Sequence, residues 1–285
     1  MFPYWLLFLV PAYMALSRLR PIPQTGLRVR RDRWSNEWRS MFVILVLMIG
    51  LRHEVGGDWN NYLDMLATYI DPDKNTRQFS FQDPAFVLFN WLAAQTGLGL
   101  YLVNLLSAIF FSWGLLVFCR AQPRPWLALL LAVPYLIIVV SMGYTRQACA
   151  IGVAMVALTT VEQGSAMRFM LWIVLAAMFH KAALIFVPLA VIVNTKWRIF
   201  TLLWVGLAGM ILFVLLLQDG MSFWLMGYFQ ESMQSSGATV RVLMNAVPAA
   251  LFLVFRKRFQ LSPRERSFWT VMAWGALLFL VLLNV

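Results

Sequence analysis

The sequence predicts an all-α membrane protein, a polytopic helix bundle of about nine to ten transmembrane segments forming one domain over residues 1–285. Its composition is 61% hydrophobic and 12% charged, against about 45–50% and about 25% in soluble globular domains. The apolar residues form long blocks separated by short charged stretches, the usual transmembrane pattern. Blocks such as 41–51 and 126–140 are apolar on every face, whereas barrel strands would alternate apolar and polar residues.

The apolar blocks define candidate spans of helical type, because backbone polar groups in lipid must be satisfied within the segment. In chain order these spans are residues 2–17, 40–51, 84–97, 99–118, 126–142, 146–161, 169–193, 198–217, 241–255 and 267–285.

Orientation follows from the basic loops. The loops 18–39 and 256–266 are rich in arginine and lysine, so the positive-inside rule predicts that both are cytoplasmic. The long polar loops 52–83 and 218–240 then lie outside. No basic residue precedes the first apolar block, so we expect it to stay in the membrane with its N-terminus outside. The sequence stops at Val285 inside an apolar run, and we expect further helices beyond it.

The middle of the chain allows two topologies. If block 84–97 crosses the membrane, Arg120 lies outside and Arg146 near the inside. If that block is re-entrant or lies on the surface, Arg120 moves inside and residues 144–146 move outside, and block 169–193 must bend near His180 or tilt. A span of 14 residues is short for a hydrocarbon core of about 30 Å. We therefore prefer the second topology.

The net charge and the two cysteines argue against a nucleic-acid-binding protein, a disulfide-stabilised protein and a protein with a thiolate metal cluster. The net charge of +11 resides in basic clusters between apolar blocks, which favours anionic lipid headgroups over nucleic acid as the partner. Two cysteines, Cys119 and Cys149, cannot form a disulfide framework or a thiolate metal cluster. The two histidines lack the spacing of metal ligands. Asp71 and Asp73 could form a metal-binding carboxylate pair, but a solvated loop explains them more simply. We therefore expect neither a metal nor a cofactor.

The first candidate cluster follows the second span, where residues 52–59 are Arg-His-Glu-Val-Gly-Gly-Asp-Trp. Charged groups beside membrane spans are costly and tend to be functional. An arginine here can bind a phosphate with two donors, an aspartate can accept a proton from a hydroxyl, and glycines let the backbone approach a ligand. The alternative is an interfacial turn whose arginine reaches lipid headgroups. The candidate residues are Arg52, His53, Gly57, Asp58 and Tyr62.

The second cluster is Tyr144, Thr145, Arg146 and Gln147, at the start of an apolar helix. Helix N-termini favour anions through their unpaired N–H groups and dipole, and Arg146 would complete a diphosphate site. Alternatively, Thr145 caps the helix and Arg146 faces lipid phosphate.

The third cluster, His180 and Lys181, interrupts the apolar block 169–193. Such a pair must face protein or water rather than lipid tails, and His180 is a candidate general base or sugar ligand. The alternative is a histidine satisfied by a carbonyl of a neighbouring helix.

Taken in order, these clusters resemble the EpsG family of bacterial exopolysaccharide polymerases, which is related to the Wzy-type polymerases. The order and spacing of the motifs make the resemblance specific. Two departures are Gly57 and Trp59, where the family usually has Thr and Tyr around the aspartate, and these leave acceptor specificity open. The matching segments are residues 50–62, 84–86, 144–148, 179–184 and 237–241, followed by Pro248 and Arg256–Lys257.

The resemblance implies a multi-pass membrane glycosyltransferase of the bacterial cytoplasmic membrane, with a fold related to the GT-C glycosyltransferases. It would move a growing glycan from undecaprenyl diphosphate onto the next lipid-linked repeat unit at the outer face, without metal. Arg146 and Arg52, then Arg241, would offset the charge of the leaving diphosphate. Asp58 or His180 would serve as the base. Implied partners are the lipid-linked oligosaccharide, membrane lipids, a chain-length regulator and a flippase.

Two other functions remain open from the residues. A lipid-linked oligosaccharide flippase, or another transporter, would also use intramembrane arginine and histidine around an anionic cargo. Transporters often show paired halves with matching broken helices, and no such repeat is visible in this sequence. An enzyme resembling O-antigen ligases would use the same donor with a different acceptor.

Overall fold

The computed structural model describes residues 2–18, 34–70, 83–190, 203, 206–207, 210 and 238–282, and across these ranges the fold is all-helical, as predicted. A π-helix, Val133–Ser141, continues α6, and 3₁₀ segments, Val161–Gln163 and Lys181–Leu189, follow α7 and α8. The α-helices are α1 (Phe2–Ser17), α2 (Asn36–Gly50), α3 (Trp59–Ile70), α4 (Pro84–Thr96), α5 (Gly99–Ala121), α6 (Pro125–Ala132), α7 (Thr145–Thr159), α8 (Ala166–Phe179), α9 (Ala238–Phe255) and α10 (Pro263–Leu282).

The fifth helix has the length and composition of a membrane span. Its 23 residues extend about 34 Å at about 1.5 Å per residue, enough to cross a hydrocarbon core of about 30 Å. Shorter apolar helices accompany it, among them Pro125–Ser141, Thr145–Thr159 and Ala166–Phe179. The described chain is therefore an all-helical protein with a membrane-capable helix, and the number of crossings stays a prediction.

The chain divides into two compact units. The first contains α1 to α7, nearly all of α8 and the 3₁₀ segment as far as Val187. The second contains residues 161–166 and the chain from Pro188, with α9 and α10. That both units belong to one membrane domain stays a prediction.

Helix α5 lies at the centre of the first unit and packs against α2, α4 and α7. A Cβ atom on Gly114 of α5 would lie 1.9 Å from the carbonyl oxygen of Gly152 in α7, and one on Gly152 would lie 2.6 Å from the Cα of Phe111. Small residues that let helix backbones approach this closely are typical of packing in membranes. This contact fixes the start of α7 relative to α5.

The predicted external loop 52–83 contains a helix that the sequence analysis did not predict, α3, Trp59–Ile70, and its external position stays a prediction. The buried residues of α3 are Trp59, Tyr62 and Leu66, which recur at the three- and four-residue spacing of one helix face. That pattern covers only two turns, too short to stand out in a polar segment. The remainder of this loop, 71–82, with Asp71 and Asp73, lies outside the described residues, as do most of loops 18–39 and 218–240 and of span 198–217.

Both ends of α4 lie at the same end of the first unit. Asp83, just before α4, contacts Arg146. After α4, two residues intervene before α5 begins, and the first turn of α5 places Tyr101 against His53. The segments that carry His53 and Arg146 are hydrogen-bonded to each other beside these residues. A helix of 13 residues is also only about 20 Å long. These contacts are compatible with the topology in which 84–97 is not a crossing, and the topology itself stays a prediction.

The apolar block 169–193 changes its helix type at the predicted position. Helix α8 ends at Phe179, His180 follows outside it, and a 3₁₀ segment begins at Lys181. The preferred topology requires this block either to bend near His180 or to tilt, and which of the two occurs in the membrane stays a prediction. The side chain of His180 stands at a helix end.

Candidate functional site

Arg52 ties three segments of the first unit together. It is 7% exposed, and its Nη1 donates to the carbonyl oxygens of Ile49 at 3.1 Å and Ser141 at 3.2 Å. Its Nη2 donates to Asn104 Oδ1 at 3.0 Å and to Thr145 Oγ1 at 2.6 Å. Burial lowers the pKa of Arg52 to about 10, so the guanidinium stays protonated at neutral pH. All four bonds go to protein acceptors, which supports a positioning role.

The glycines after Arg52 have different local environments. Gly56 has φ +105, and a Cβ atom there would lie 2.3 Å from the carbonyl oxygen of Met142, so this position requires glycine. At Gly57 a Cβ atom would meet nothing within 4 Å. Glu54 has φ 50, a left-handed conformation that is uncommon for residues other than glycine. The turn from Arg52 to α3 therefore presses Gly56 against the π-helix and leaves Gly57 open.

Asp83 is the centre of a charged cluster. This carboxylate is 6% exposed, and its Oδ2 lies 3.1 Å from Arg146 Nη1 and 4.0 Å from His180 Nδ1. Its Oδ1 accepts a hydrogen bond from the backbone N–H of Lys181 at 3.3 Å. Its φ of 54 is left-handed, and Pro84 opens α4 immediately after it. One buried carboxylate thus brings together the second and third predicted clusters.

Tyr62 connects the first cluster to the second. It is 4% exposed, and its hydroxyl accepts the backbone N–H of Arg146 at 3.4 Å. Phe86 packs on Tyr62 with ring centroids 5.6 Å apart, and the Arg146 guanidinium lies 5.9 Å from the Phe86 ring centre. The Arg146 side chain keeps 39% of its surface exposed, so the guanidinium is oriented by protein on one side and open on another.

The start of α7 differs from one expected alternative. Thr145 is the first residue of the helix rather than its cap, and the N-cap Tyr144 makes no side-chain cap bond. The capping alternative for Thr145 is wrong, because its hydroxyl is engaged by Arg52. Tyr144 is 37% exposed and Gln147 is exposed. Tyr144 and Gln147 therefore remain accessible on either side of Arg146.

The imidazole of His180 is directed partly into the protein. Its Nδ1 is buried and has no hydrogen-bond partner among the described residues, because 4.0 Å to Asp83 is too long for a hydrogen bond. The side chain is 28% exposed, so its solvent-accessible atoms lie on the opposite edge of the imidazole ring. A histidine in this arrangement can exchange a proton with a ligand through its exposed edge.

The other predicted residues lie at different places. Asp58 precedes α3, where its backbone oxygen accepts from Tyr62 N at 3.0 Å and its carboxylate contacts Asn61 at 3.4 Å. His53 is exposed and its Nδ1 hydrogen-bonds with the Tyr101 hydroxyl at 2.7 Å. Arg241 belongs to the second unit, in the first turn of α9.

Asp83 was missed by the sequence reasoning, although a signal was present. The stretch Pro84-Ala-Phe86 belongs to the resemblance, and an aspartate directly before a helix-opening proline is a frequent helix start.

Among the described residues, no three His, Cys, Asp or Glu side chains converge as metal ligands. Cys119 and Cys149 are free and buried.

A membrane-capable helix and an arginine–aspartate–histidine cluster at helix ends are the features expected of a membrane protein that handles a polar substrate. The chain belongs to the EpsG family, whose model matches residues 38–285 and so covers most of the sequence. Membership indicates an exopolysaccharide-related, polymerase-like function with a lipid-linked sugar substrate. No curated protein and no solved structure gives a significant match.

Proposed function

We propose that this protein polymerises oligosaccharide repeat units carried on undecaprenyl diphosphate, at the outer face of the bacterial cytoplasmic membrane. The observation that carries the proposal is the cluster in which Asp83 joins Arg146 and His180 beside the N-terminus of α7. Cations near the positive end of a helix dipole suit a diphosphate, and a histidine suits a hydroxyl that must lose its proton. Membership of the EpsG family supports lipid-linked sugars as both the donor and the acceptor of the reaction.

The reaction is a substitution at the anomeric carbon of the donor glycan. The oxygen of an acceptor hydroxyl forms the new glycosidic bond, and the bond from that carbon to the diphosphate oxygen breaks. The lipid diphosphate leaves with the electron pair, and the hydroxyl proton passes to a base. The growing chain is thereby transferred onto the next lipid-linked repeat unit.

Arg146 is proposed to stabilise the leaving diphosphate. Its exposed side can donate to phosphate oxygens, while the ion pair with Asp83 and the contact with Phe86 hold its guanidinium in place. Preorganised cations at developing negative charge contribute about 10²–10³ in rate. Tyr144, Gln147 and Lys181 are proposed to complete the binding site around it. With these cations in place, a metal ion is not required for the leaving group.

His180 is the base that the geometry favours, and Asp58 is the alternative. His180 shares Asp83 with Arg146, so it stands next to the proposed phosphate site, and a carboxylate beside an imidazole stabilises the cation that forms on proton uptake. Asp58 is proposed to accept a hydrogen bond from the acceptor sugar.

Arg52 is proposed to act through α7 rather than on the phosphate directly. Its bonds to Asn104 and Thr145 fix the residue that precedes Arg146. Tyr62 has a related role, because its hydroxyl holds the backbone N–H of Arg146. A phosphate contact by Arg241 stays a prediction from the sequence, because this residue belongs to the second unit.

The test uses purified protein in nanodiscs with a lipid-diphosphate-linked repeat unit and mass analysis of the products. A lipid-linked ladder in multiples of one repeat is expected from the wild type, and no ladder from Arg146→Ala. Arg124→Ala is the matched control, because Arg124 is exposed at the opposite end of the α6 and π-helix segment, and it should retain the ladder.

Other outcomes would overturn the proposal. If the folded wild type gives no ladder with authentic substrate but moves the lipid-linked sugar across a vesicle bilayer, the protein is a transporter. Transfer of a single glycan to a different acceptor would identify a ligase. Abundant polymer from a stable Arg146→Ala variant would remove that residue from the mechanism.

A further inference from the structure

Three aromatic rings meet at the same end of the first unit as the charged cluster. His53 follows Arg52, Trp59 opens α3, and Tyr101 lies in the first turn of α5. The centroids of the His53 and Tyr101 rings are 6.1 Å apart with an interplanar angle of 19°. Trp59 stands nearly perpendicular to His53 at 5.8 Å and packs against Tyr101 at 6.3 Å.

The His53 and Tyr101 rings lie side by side rather than face to face. The hydroxyl of Tyr101 projects in the plane of its own ring and meets Nδ1 of His53 at 2.7 Å, and a ring nitrogen hydrogen-bonds in the plane of the imidazole. With nearly parallel rings, this bond joins the two into one flat surface. Tyr101 is 42% exposed, whereas Trp59 is only 9% exposed and supports the pair from within.

A carboxylate borders this surface, and a second one follows it in the chain. Glu54 is exposed, and its Oε1 lies 3.8 Å from Nε2 of His53. Its φ of 50 is left-handed, a conformation that costs free energy and often marks a functional turn. Asp58 lies four residues further along the same turn. A flat aromatic face with carboxylates at its edge suits a sugar ring, which offers C–H groups on its face and hydroxyl donors at its rim.

The acidic border also argues against a lipid phosphate as the occupant. Aromatic residues at helix ends often anchor a protein at the membrane interface, and there the nearest anion would be a headgroup phosphate. Glu54 and Asp58 would repel such a phosphate, whereas they accept hydrogen bonds from neutral hydroxyl groups.

The position of the rings relates them to the charged cluster. Trp59 and Tyr62 lie one turn apart on the buried face of α3, and residues at this spacing have Cβ atoms about 5–6 Å apart. The hydroxyl of Tyr62 holds the backbone N–H of Arg146. Helix α3 therefore supports the aromatic surface through Trp59 and the proposed phosphate site through Tyr62.

We propose that His53 and Tyr101, supported by Trp59, form a stacking subsite for a sugar ring of the acceptor glycan, with Glu54 and Asp58 accepting its hydroxyl groups. The assignment to the acceptor, rather than to another glycan, rests on the proposed function. The subsite would hold the incoming repeat unit so that its hydroxyl reaches the cluster around Arg146.

The experiment measures binding separately from polymerisation. The probe is the soluble oligosaccharide released by partial acid hydrolysis from the polymer of the producing cells, and binding to protein in nanodiscs is followed by saturation-transfer NMR. Tyr101→Ala should raise the Kd about tenfold, as expected for the loss of an aromatic contact of about 1.4 kcal/mol. Tyr13→Ala, which alters an exposed tyrosine of α1, should leave the Kd unchanged.

A second variant guards against misfolding of the first. His53→Ala alters an exposed side chain and should also raise the Kd, since half of the flat surface is lost. Wild-type binding by both variants, or no binding by the wild type, would overturn the subsite. A ladder from the wild type together with unchanged binding by the variants would overturn the subsite alone. Tyr101-dependent binding without a ladder would overturn the polymerase and keep the sugar subsite.

Discussion

Asp83 Oδ2 lies 3.1 Å from Arg146 Nη1, although 63 positions separate the two residues in the chain. The carboxylate is buried, whereas the arginine keeps 39% of its side chain exposed. An ion pair with one buried and one open partner fixes the direction of the guanidinium and leaves donors free for a ligand. Asp83 also accepts the backbone N–H of Lys181, so a single side chain holds two separate segments at the proposed phosphate site.

Replacing Asp83 by asparagine should separate orientation from stability. Asp83→Asn keeps an oxygen for Lys181 but removes the charge that directs Arg146. Because Arg146 is partly exposed and can be rehydrated, the stability should change by no more than about 1 kcal/mol. The polymerisation rate should fall about 10- to 100-fold, as misplacement of a catalytic group does. Initial rates and thermal unfolding of the same preparations measure both effects.

A double variant tests whether Asp83 acts through Arg146. If it does, Asp83→Asn combined with Arg146→Ala should be no slower than Arg146→Ala alone, since residues in one network are not additive. Fully multiplied losses would mean that Asp83 has an independent role.

Replacing the buried Arg52 by lysine should reduce the stability of the protein more than the same replacement at an exposed arginine does. A lysine ammonium cannot reproduce the four bonds of the Arg52 guanidinium, since its three donors lack the planar fork. We expect a loss of about 3 kcal/mol, observed as a lower unfolding temperature. Arg39→Lys, at an exposed position of α2, is the matched control. An Arg52→Lys protein that melts like the wild type yet makes no polymer would instead indicate direct phosphate binding.

The stabilisation that Arg52 provides should not vary with pH near neutrality. Burial lowers the pKa of Arg52 to about 10, so near pH 7 the group is protonated in the folded and the unfolded chain alike. Only above about pH 10 does the unfolded state bind more protons than the folded state, and there the contribution of Arg52 to stability rises with pH. Unfolding temperatures measured from about pH 6 to 8 should show a constant difference between the wild type and Arg52→Gln, whose new side chain does not titrate.

The sequence predicted the helical class and the residue clusters because those signals are local. Apolar blocks appear in composition, and the charges of Arg52, Arg146 and His180 stand out against them. The sequence also named His180 as the place where the long apolar block would bend, with tilting as the alternative, and the helix type does change there. These features need no knowledge of which helices are neighbours.

What sequence reasoning could not supply was the set of contacts between distant segments. Asp83 appeared to be a loop residue, because its partners are 63 and 98 positions away. Arg52 appeared to be a phosphate ligand, because its hydrogen-bond acceptors inside the protein were not visible in the sequence. Two of them are backbone carbonyl oxygens, which no sequence motif displays. Tyr101 belongs to an apolar span and becomes notable only beside His53. Tertiary packing decides each of these cases.

Chemical rescue can distinguish the two candidate bases. His180→Ala should lower the rate about 10²–10⁴-fold, the usual contribution of a general base, and added imidazole should restore part of the activity because the side chain leaves an opening next to Asp83. Asp58→Asn should lower the rate less and should not respond to imidazole. Rates with and without imidazole in both variants provide the measurement. The reverse pattern would assign the base to Asp58.

Alanine substitutions at the two adjacent glycines can show whether substrate approaches this turn. Gly57→Ala should fold normally, because a Cβ atom there meets nothing within 4 Å. Gly56→Ala should unfold at a lower temperature, because its φ is +105 and the new atom would lie 2.3 Å from the Met142 carbonyl oxygen. If Gly57 is a close contact for substrate, Gly57→Ala should keep the wild-type unfolding temperature and raise the KM for the lipid-linked repeat several-fold. An unchanged KM in that folded variant would remove Gly57 from the binding site.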